Sequence, residues 1–216
     1  MKRSGKELML RVIILLVGLV IAHLGVALFL LADLGADPFN VLIQGLFRTV
    51  QGTGITALTH GNVHMGICFL IILALLGIDR SYVKIGTLLC MICGGPIIDV
   101  FTLLLAPAFA AVPAMAFKLT MLAVGCVVLA FGMTLVIKSD AGTGPNDLVA
   151  VVISDKSKKK FSIIRVAVDF SFVLVGFVLG GQFGVGTIIC AFLVGPVAGF
   201  FLPRSEKIVQ KCLRLL

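Results

Sequence analysis

Residues 33–40 read Asp33-Leu34-Gly35-Ala36-Asp37-Pro38-Phe39-Asn40, and 107 positions later residues 140–147 read Asp140-Ala141-Gly142-Thr143-Gly144-Pro145-Asn146-Asp147. The shared pattern is D-x-G-x-x-P-x-[ND]. It extends backwards without a gap, since Gly18, Val20, Gly25 and Leu28 fall on Gly125, Val127, Gly132 and Leu135, and the same offset pairs Asn62 with Asp169. After a seven-residue shortening, Gly86, Thr87, Cys90, Gly95, Pro96 and Phe101 fall on Gly186, Thr187, Cys190, Gly195, Pro196 and Phe201. Self-similarity at a fixed period marks a duplicated architecture. The chain therefore reads as two copies of one unit, 1–114 and 115–216.

Composition says what kind of unit it is. Of the 216 residues, 60% are apolar and only 13% charged, with mean hydropathy +1.19. A soluble domain averages about 45–50% apolar and about 25% charged, and one water-soluble core of this size does not bury such an excess. A crossing helix needs about 20 apolar residues. Six stretches qualify: 12–32, 62–78, 86–106, 119–137, 161–179 and 183–202. The first is too long for a signal peptide and lacks a cleavage site. Two shorter apolar stretches, 38–47 and 145–153, are half a crossing each. The expected fold is an all-α integral membrane protein with six transmembrane helices in two inverted three-helix repeats, each with a short half-helix after the first span. Three crossings per copy turn the second copy upside down relative to the first.

Charge gives the orientation. With the N-terminus inside, 16 of the 18 basic residues fall on the cytoplasmic side and only Arg48 and Lys118 outside, as the excess of Lys and Arg in inner loops requires. The connection 107–116 carries no charge, and both termini are expected in the cytoplasm of a bacterial inner membrane. The tail 206–216 alternates apolar and basic residues and is expected to lie on the inner leaflet as an amphipathic helix. The net charge of +8 anchors the chain to membrane lipids and does not point to nucleic acid, because the basic residues lie between apolar spans.

The duplicated D-x-G-x-x-P-x-[ND] block, with Gly-Thr and Gly-Pro in the following hairpin, resembles the YczE/YyaS/YitT group of bacterial membrane proteins over nearly the whole chain. YitT-type members carry a soluble C-terminal domain that is not expected here, so the resemblance is nearer to the YczE-like members. The resemblance implies a bacterial inner-membrane protein and says little about substrate.

Candidate site residues follow from the breaks and the charges. Pro38 and Pro145 suit the first position of a helix, with Asp37 and either Thr143 or Gly144 as caps. A helix that starts inside the membrane presents free N–H groups to an anionic ligand. Gly35, Asp37, Pro38, Asn40, Gly142, Gly144, Pro145 and Asn146, with His23 from the first span, are the expected substrate-binding set. Intramembrane acids are costly and mark function or pairing. Asp147, Asp169 and Asp99, with Asn62, are the expected ion-coupling set, because Asp147 and Asp169 stand where the first copy has Asn40 and Asn62. The competing reading pairs Asp169 with Arg165 four residues earlier on one helix face. Asp33 and Asp140 read as turn caps; Gly18, Ala22, Gly176, Gly180 and Gly181 read as close-packing positions. Five of the six cysteines sit in apolar spans and read as small packing residues. No catalytic motif, metal-ligand spacing or cofactor fingerprint occurs, so neither an enzyme nor a cofactor is expected.

Inverted repeats with broken helices recur in secondary transporters. The expected function is a proton- or cation-coupled transporter of a small polar or anionic solute, small enough at 22.8 kDa to be compatible with a homodimer. The alternatives are a substrate-capture subunit of a vitamin importer and a membrane-embedded scaffold acting through 156–160. The orientation is checked by labelling single cysteines in intact cells: a cysteine at Lys158 should be shielded from an impermeant reagent, and labelling there from outside overturns the six-span topology.

Overall fold

The computed structural model describes residues 5–54, 57–112, 114–159 and 161–214, with side chains set aside at 161 and 162. Lys2, Arg3, Lys160, Leu215 and Leu216, which enter the orientation and tail readings, lie outside them. Eight α-helices follow in order: α1 Gly5–Ala32, α2 Pro38–Gly52, α3 His60–Ile78, α4 Ile85–Ala111, α5 Met115–Ser139, α6 Pro145–Ser157, α7 Phe161–Val178 and α8 Val185–Leu213, with a 3-10 turn at Arg80–Tyr82. Five of them (α1, α3, α4, α5 and α8) are long and apolar enough to cross a membrane. The sixth expected crossing, α7, has 18 residues with Arg165 and Asp169 in its first half and stands outside that group. Large apolar side chains face outward, Leu103 on α4, Phe170 on α7 and Phe192 on α8 among them. Water tolerates no such surface on a protein this small.

The helix ends obey local chemistry. Asp37 caps α2 by accepting the Asn40 N–H at 3.3 Å, and Pro38 opens the helix. Gly144 precedes α6 and supplies no side-chain cap. Asp33 and Asp140 both take the left-handed conformation at φ 54° and terminate α1 and α5. Beyond α3, the Ser81 N–H donates to Asp79 at 2.9 Å and holds that carboxyl below its usual range, while Tyr82 donates to Asp155 at 3.0 Å, which pushes the phenol up.

Three boundaries differ from expectation. The short helices are longer, 15 and 13 residues. Residues 107–111 continue α4 through Pro107 instead of forming a loop, because a proline removes one hydrogen bond without ending a helix whose flanks pack. The tail is no separate surface helix. α8 runs through Pro203 to Leu213 and is clamped to α5, where the Ser205 and Thr134 hydroxyls share a buried hydrogen bond at 2.7 Å and Lys138 meets Glu206 at 2.7 Å.

α1 and α5 make the most extensive helix pair. A Cβ on Gly18 would lie 2.9 Å from the Gly132 carbonyl oxygen, and one on Gly25 would lie 2.7 Å from the Gly125 carbonyl oxygen. The helices are thus antiparallel, and the two contacts are the same contact with the halves exchanged. A second exchanged pair joins each D-x-G-x-x-P turn to the other half. The Gly86 N–H donates to the Ala141 carbonyl at 3.0 Å, and the Gly186 N–H donates to the Leu34 carbonyl at 2.7 Å. Gly35 at φ 109° and Gly142 at φ 153° need glycine both for that backbone and for the approach of Thr187 and Thr87. The expected boundary at 114/115 falls between α4 and α5.

Elsewhere the halves differ. Both α3 and α7 pack on α2 and α6, but α3 also packs on α4, whereas α7 makes no comparable contact with α8. At the α2–α7 contact, a Cβ on Gly176 would lie 2.5 Å from the Leu42 nitrogen. Gly180, expected to serve packing, has no neighbour in that direction and is needed for its φ of 86°. Gly132→Ala should force α1 and α5 apart and cost about 1–3 kcal/mol, read as a lowered Tm in detergent; Gly195→Ala, which meets open space, should leave Tm unchanged or raised.

Candidate functional site

The centre of the site is a cation between two acids. Arg165 lies on the first turns of α7. Its Nη1 reaches Asp147 Oδ1 at 2.5 Å and its Nε reaches Asp169 Oδ2 at 2.8 Å. Asp169 is four residues on, so the helix places both on one face. Asp147 comes from the first turn of α6, where Asn146 Nδ2 also donates to it at 3.1 Å. The side chains are 30%, 20% and 26% exposed for Arg165, Asp147 and Asp169. The triad carries net charge −1 when all three are ionised. Both the pairing of Asp169 with Arg165 and the nearness of Asp147 to Asp169 are therefore present at once, because α6 folds back onto α7.

The first copy's turn approaches the same charges. Asp37, at the start of α2, is within electrostatic reach of Asp169 and Arg165. Its Oδ2 accepts from Asn40 Nδ2 at 2.7 Å, and Asn40 is 3% exposed with Oδ1 unpartnered. The two short helices, read from sequence as equivalent ligand sites, are unlike. Asp37 occupies the free N–H groups of α2, while the start of α6 has no side-chain cap. Pro38 and Pro145 set the two starts, and Gly35 and Gly142 dock them onto the opposite half.

Asp99 and Asn62, expected beside Asp147 and Asp169, join a different group. Asp99 on α4 accepts from Thr59 Oγ1 at 2.5 Å and from the Gly61 N–H at 2.9 Å, and Thr59 also bonds Asn62. The carboxylate sits at the N-terminus of α3, where helix N–H groups favour it. Gly61 and Gly95 lie in backbone contact there, which brings α4 to the head of α3. His23 bonds its own helix rather than a neighbour: its Nδ1 lies 2.8 Å from the Leu19 carbonyl, and its ring meets His64 edge-on at 5.7 Å. Nothing in the sequence joins His64 to His23; their meeting depends on how α3 and α1 pack.

At the opposite end of the α1–α5 pair from the Lys84–Asp140 ion pair (3.1 Å), Arg48 donates to the Gly180 carbonyl and to Gln182, both at 3.0 Å, and Gln182 donates to the Asp33 carbonyl at 2.6 Å. Among the described residues no group of three or more His, Cys, Asp or Glu is placed to hold a metal ion, and all six cysteines are free thiols.

Residues 9–203 match the model of a family described as "Family of unknown function (DUF6198)". The chain belongs to that family. It is 28% identical over 207 residues to the membrane protein YczE of Bacillus subtilis, covering 95% of this chain and 91% of that one. A Haemophilus influenzae protein is 32% identical over 193 residues, covering 88% and 82%. YyaS of Bacillus subtilis is 24% identical over 191 residues, covering 88% and 92%. No solved structure matches the chain. With its apolar helices and a relative described as a membrane protein, this DUF6198 chain is an all-helical membrane protein.

The triad makes a graded prediction. Asp169→Asn leaves Arg165 paired with Asp147 and should lower stability only slightly. Arg165→Gln leaves two carboxylates facing each other and should cost about 1–3 kcal/mol, below the figure for removing one partner of a fully buried pair because these groups are part-exposed. Thermal unfolding of the detergent-purified variants checks the order.

Proposed function

We propose that the chain is a secondary transporter of a small polar or anionic solute, coupled to protons or a cation, and that it performs no catalysis. In this reading it lies in a bacterial inner membrane as two three-crossing repeats of opposite orientation, α7 being the sixth crossing, with both termini in the cytoplasm. The exchanged contacts support the inversion. Two antiparallel helices that meet through Gly18–Gly132 and Gly25–Gly125 are related by a two-fold axis perpendicular to them, which lies in the membrane plane if they cross it.

The observation that carries the transport reading is the Arg165 triad between the starts of α2 and α6. Transporters of inverted-repeat design bind solute near the midplane, where interrupted helices point their N-termini at anionic groups. Here the uncapped start of α6 and the Arg165 guanidinium offer donors to an anion, while Asp147 and Asp169 hold Arg165 until the solute competes for it. A solute carboxylate that takes over Arg165 frees an acid to bind a proton or cation, and that exchange couples the two. The second copy's acids and the first copy's Asn40 and Asn62 give the halves unequal charge on similar backbones, which suits a device that binds on one path and is driven on another.

The reading is tested in liposomes. Uptake of radiolabelled small anions and zwitterions is measured under an imposed proton or Na⁺ gradient, after a thermal-shift screen at two pH values has selected the compounds. Asp147→Asn and Asp169→Asn should keep solute binding and lose the gradient dependence. Uptake that keeps its full gradient dependence in both variants overturns the coupling role.

A further inference from the structure

The first half holds a second polar group at membrane depth, which the Arg165 triad leaves unused. His60 and His64 are one helical turn apart on the same face of α3. His64 is 6% exposed and meets the His23 ring of α1 edge-on. Phe39 and Phe47 of α2 lie against His64 and His60, with ring centroids 5.4 and 5.9 Å apart. The His23 and His64 Nε2 atoms converge over Gly94 of α4, since a Cβ there would lie 2.9 Å from one and 3.2 Å from the other. Glycine keeps the space between the two nitrogens clear.

Several of its polar atoms have no partner among the described residues. Both His60 ring nitrogens, His64 Nδ1 and Asn40 Oδ1 are buried without a hydrogen bond. A buried polar group left unpaired costs about 1–3 kcal/mol, and four together call for a purpose. The fold does not require them. At the repeat offset of 107, Ala130, Ala167 and Ser171 stand where His23, His60 and His64 stand, and at the offset of 100 that follows the shortening Gly199 stands opposite Asp99. The equivalent positions thus accept small residues.

The tautomer follows from one bond. A carbonyl only accepts, so His23 Nδ1 carries the proton it donates to Leu19, and the neutral ring presents Nε2 as the bare acceptor toward His64. The ionisable groups acting on these rings are the rings themselves and Asp99, which acts on His60. α2 and α4 present Phe39, Phe47 and Gly94 to them.

We propose that His60, His64 and His23 form a proton-access file from the head of α3 to the middle of α1, which loads His23 with a proton and releases it by the same route, and so makes the proton the coupling ion. Resting on the transport reading above, this names the ion that drives it. A proton enters at His60 beside Asp99, passes to His64 one turn further along, and is handed from His64 Nε2 to His23 Nε2 across the space above Gly94. Each transfer moves one proton between nitrogens and leaves the donor ring neutral. Na⁺ and other hard cations prefer oxygen ligands, whereas imidazole is the side chain that exchanges protons near neutral pH.

The test is deuterium exchange at the imidazole C2–H of each histidine, read by mass spectrometry on the purified full-length protein in detergent across about pH 5–8. This exchange proceeds through the protonated ring and reports proton access directly. In the wild type, His23 should exchange with a sigmoidal pH dependence. In His64→Phe, which keeps a flat ring against Phe39, His23 should lose that exchange while His60 retains it. If His64→Phe does not fold, Gly94→Ala places a methyl between the two Nε2 atoms and should produce the same loss at His23. A His23 that is silent in the wild type, or unchanged in the variants, overturns the file. Solute uptake measured in parallel separates the two readings. Transport driven by Na⁺ alone with a silent His23 removes the file and leaves the transporter. Sigmoidal exchange that the variants abolish, in a protein that moves no solute, supports the file and removes the transporter.

Discussion

The rest of the molecule depends on the crossing of α1 and α5. In lipid, apolar helices gain little from leaving one hydrocarbon surface for another, so association rests on close packing and on hydrogen bonds between helices. Gly18, Gly25, Gly125 and Gly132 let the two backbones touch along their length. Larger residues would hold the helices apart and forfeit the short-range contacts that stabilise the pair. Once the pair is set, each helix presents its D-x-G-x-x-P turn to the far half, where the Gly86 and Gly186 amides receive it.

That docking pairs backbone that leaves a helix. In a membrane protein, non-helical backbone needs hydrogen-bond partners from protein or from a polar cavity. The Ala141 and Leu34 carbonyls find theirs in amides of the opposite half. The turns are thereby held in place, and the helices that follow them start from the opposite half: α2 then packs mainly on α7, and α6 on both α7 and α3. This is why the charged triad, built from α6 and α7, lies within electrostatic reach of Asp37 from the first half.

The two halves carry separate chemistries on this common plan. The second brings together Arg165, Asp147 and Asp169; the first brings together the imidazoles of His23, His60 and His64 and the Asn40 amide, beside the Asp37 and Asp99 carboxyls. Packing diverges with the chemistry. Both α3 and α7 pack on α2 and α6, but only α3 also lies on the long helix of its own half, α4, through Gly61 and Gly95; α7 has Val168 at the place equivalent to Gly61 and makes no comparable contact with α8. A β-branched side chain there is incompatible with the backbone contact that Gly61 allows.

Much was legible from residues alone. Apolar composition dictated membrane helices, because no core of this size buries so many apolar side chains; the offset of 107 made two copies of one unit the expectation; Pro38, Pro145 and Asp37 marked the starts of the short helices to the residue, because proline and cap preferences act within one turn. The Arg165–Asp169 pair was equally local, set by the helical period. What needed the tertiary structure is everything that joins distant segments. Asp147 reaches Arg165 only because α6 turns back on α7, and Asp99 leaves the other acids because Thr59 and the head of α3 hold it. The run of α8 past Pro203 was hidden because a basic, apolar tail suits the membrane surface as well as a helix face; the buried Ser205–Thr134 bond decides between them. His64 and His23 are 41 residues apart in the chain, and no spacing rule connects them: the glycines that bring the backbones together also decide which side chains meet.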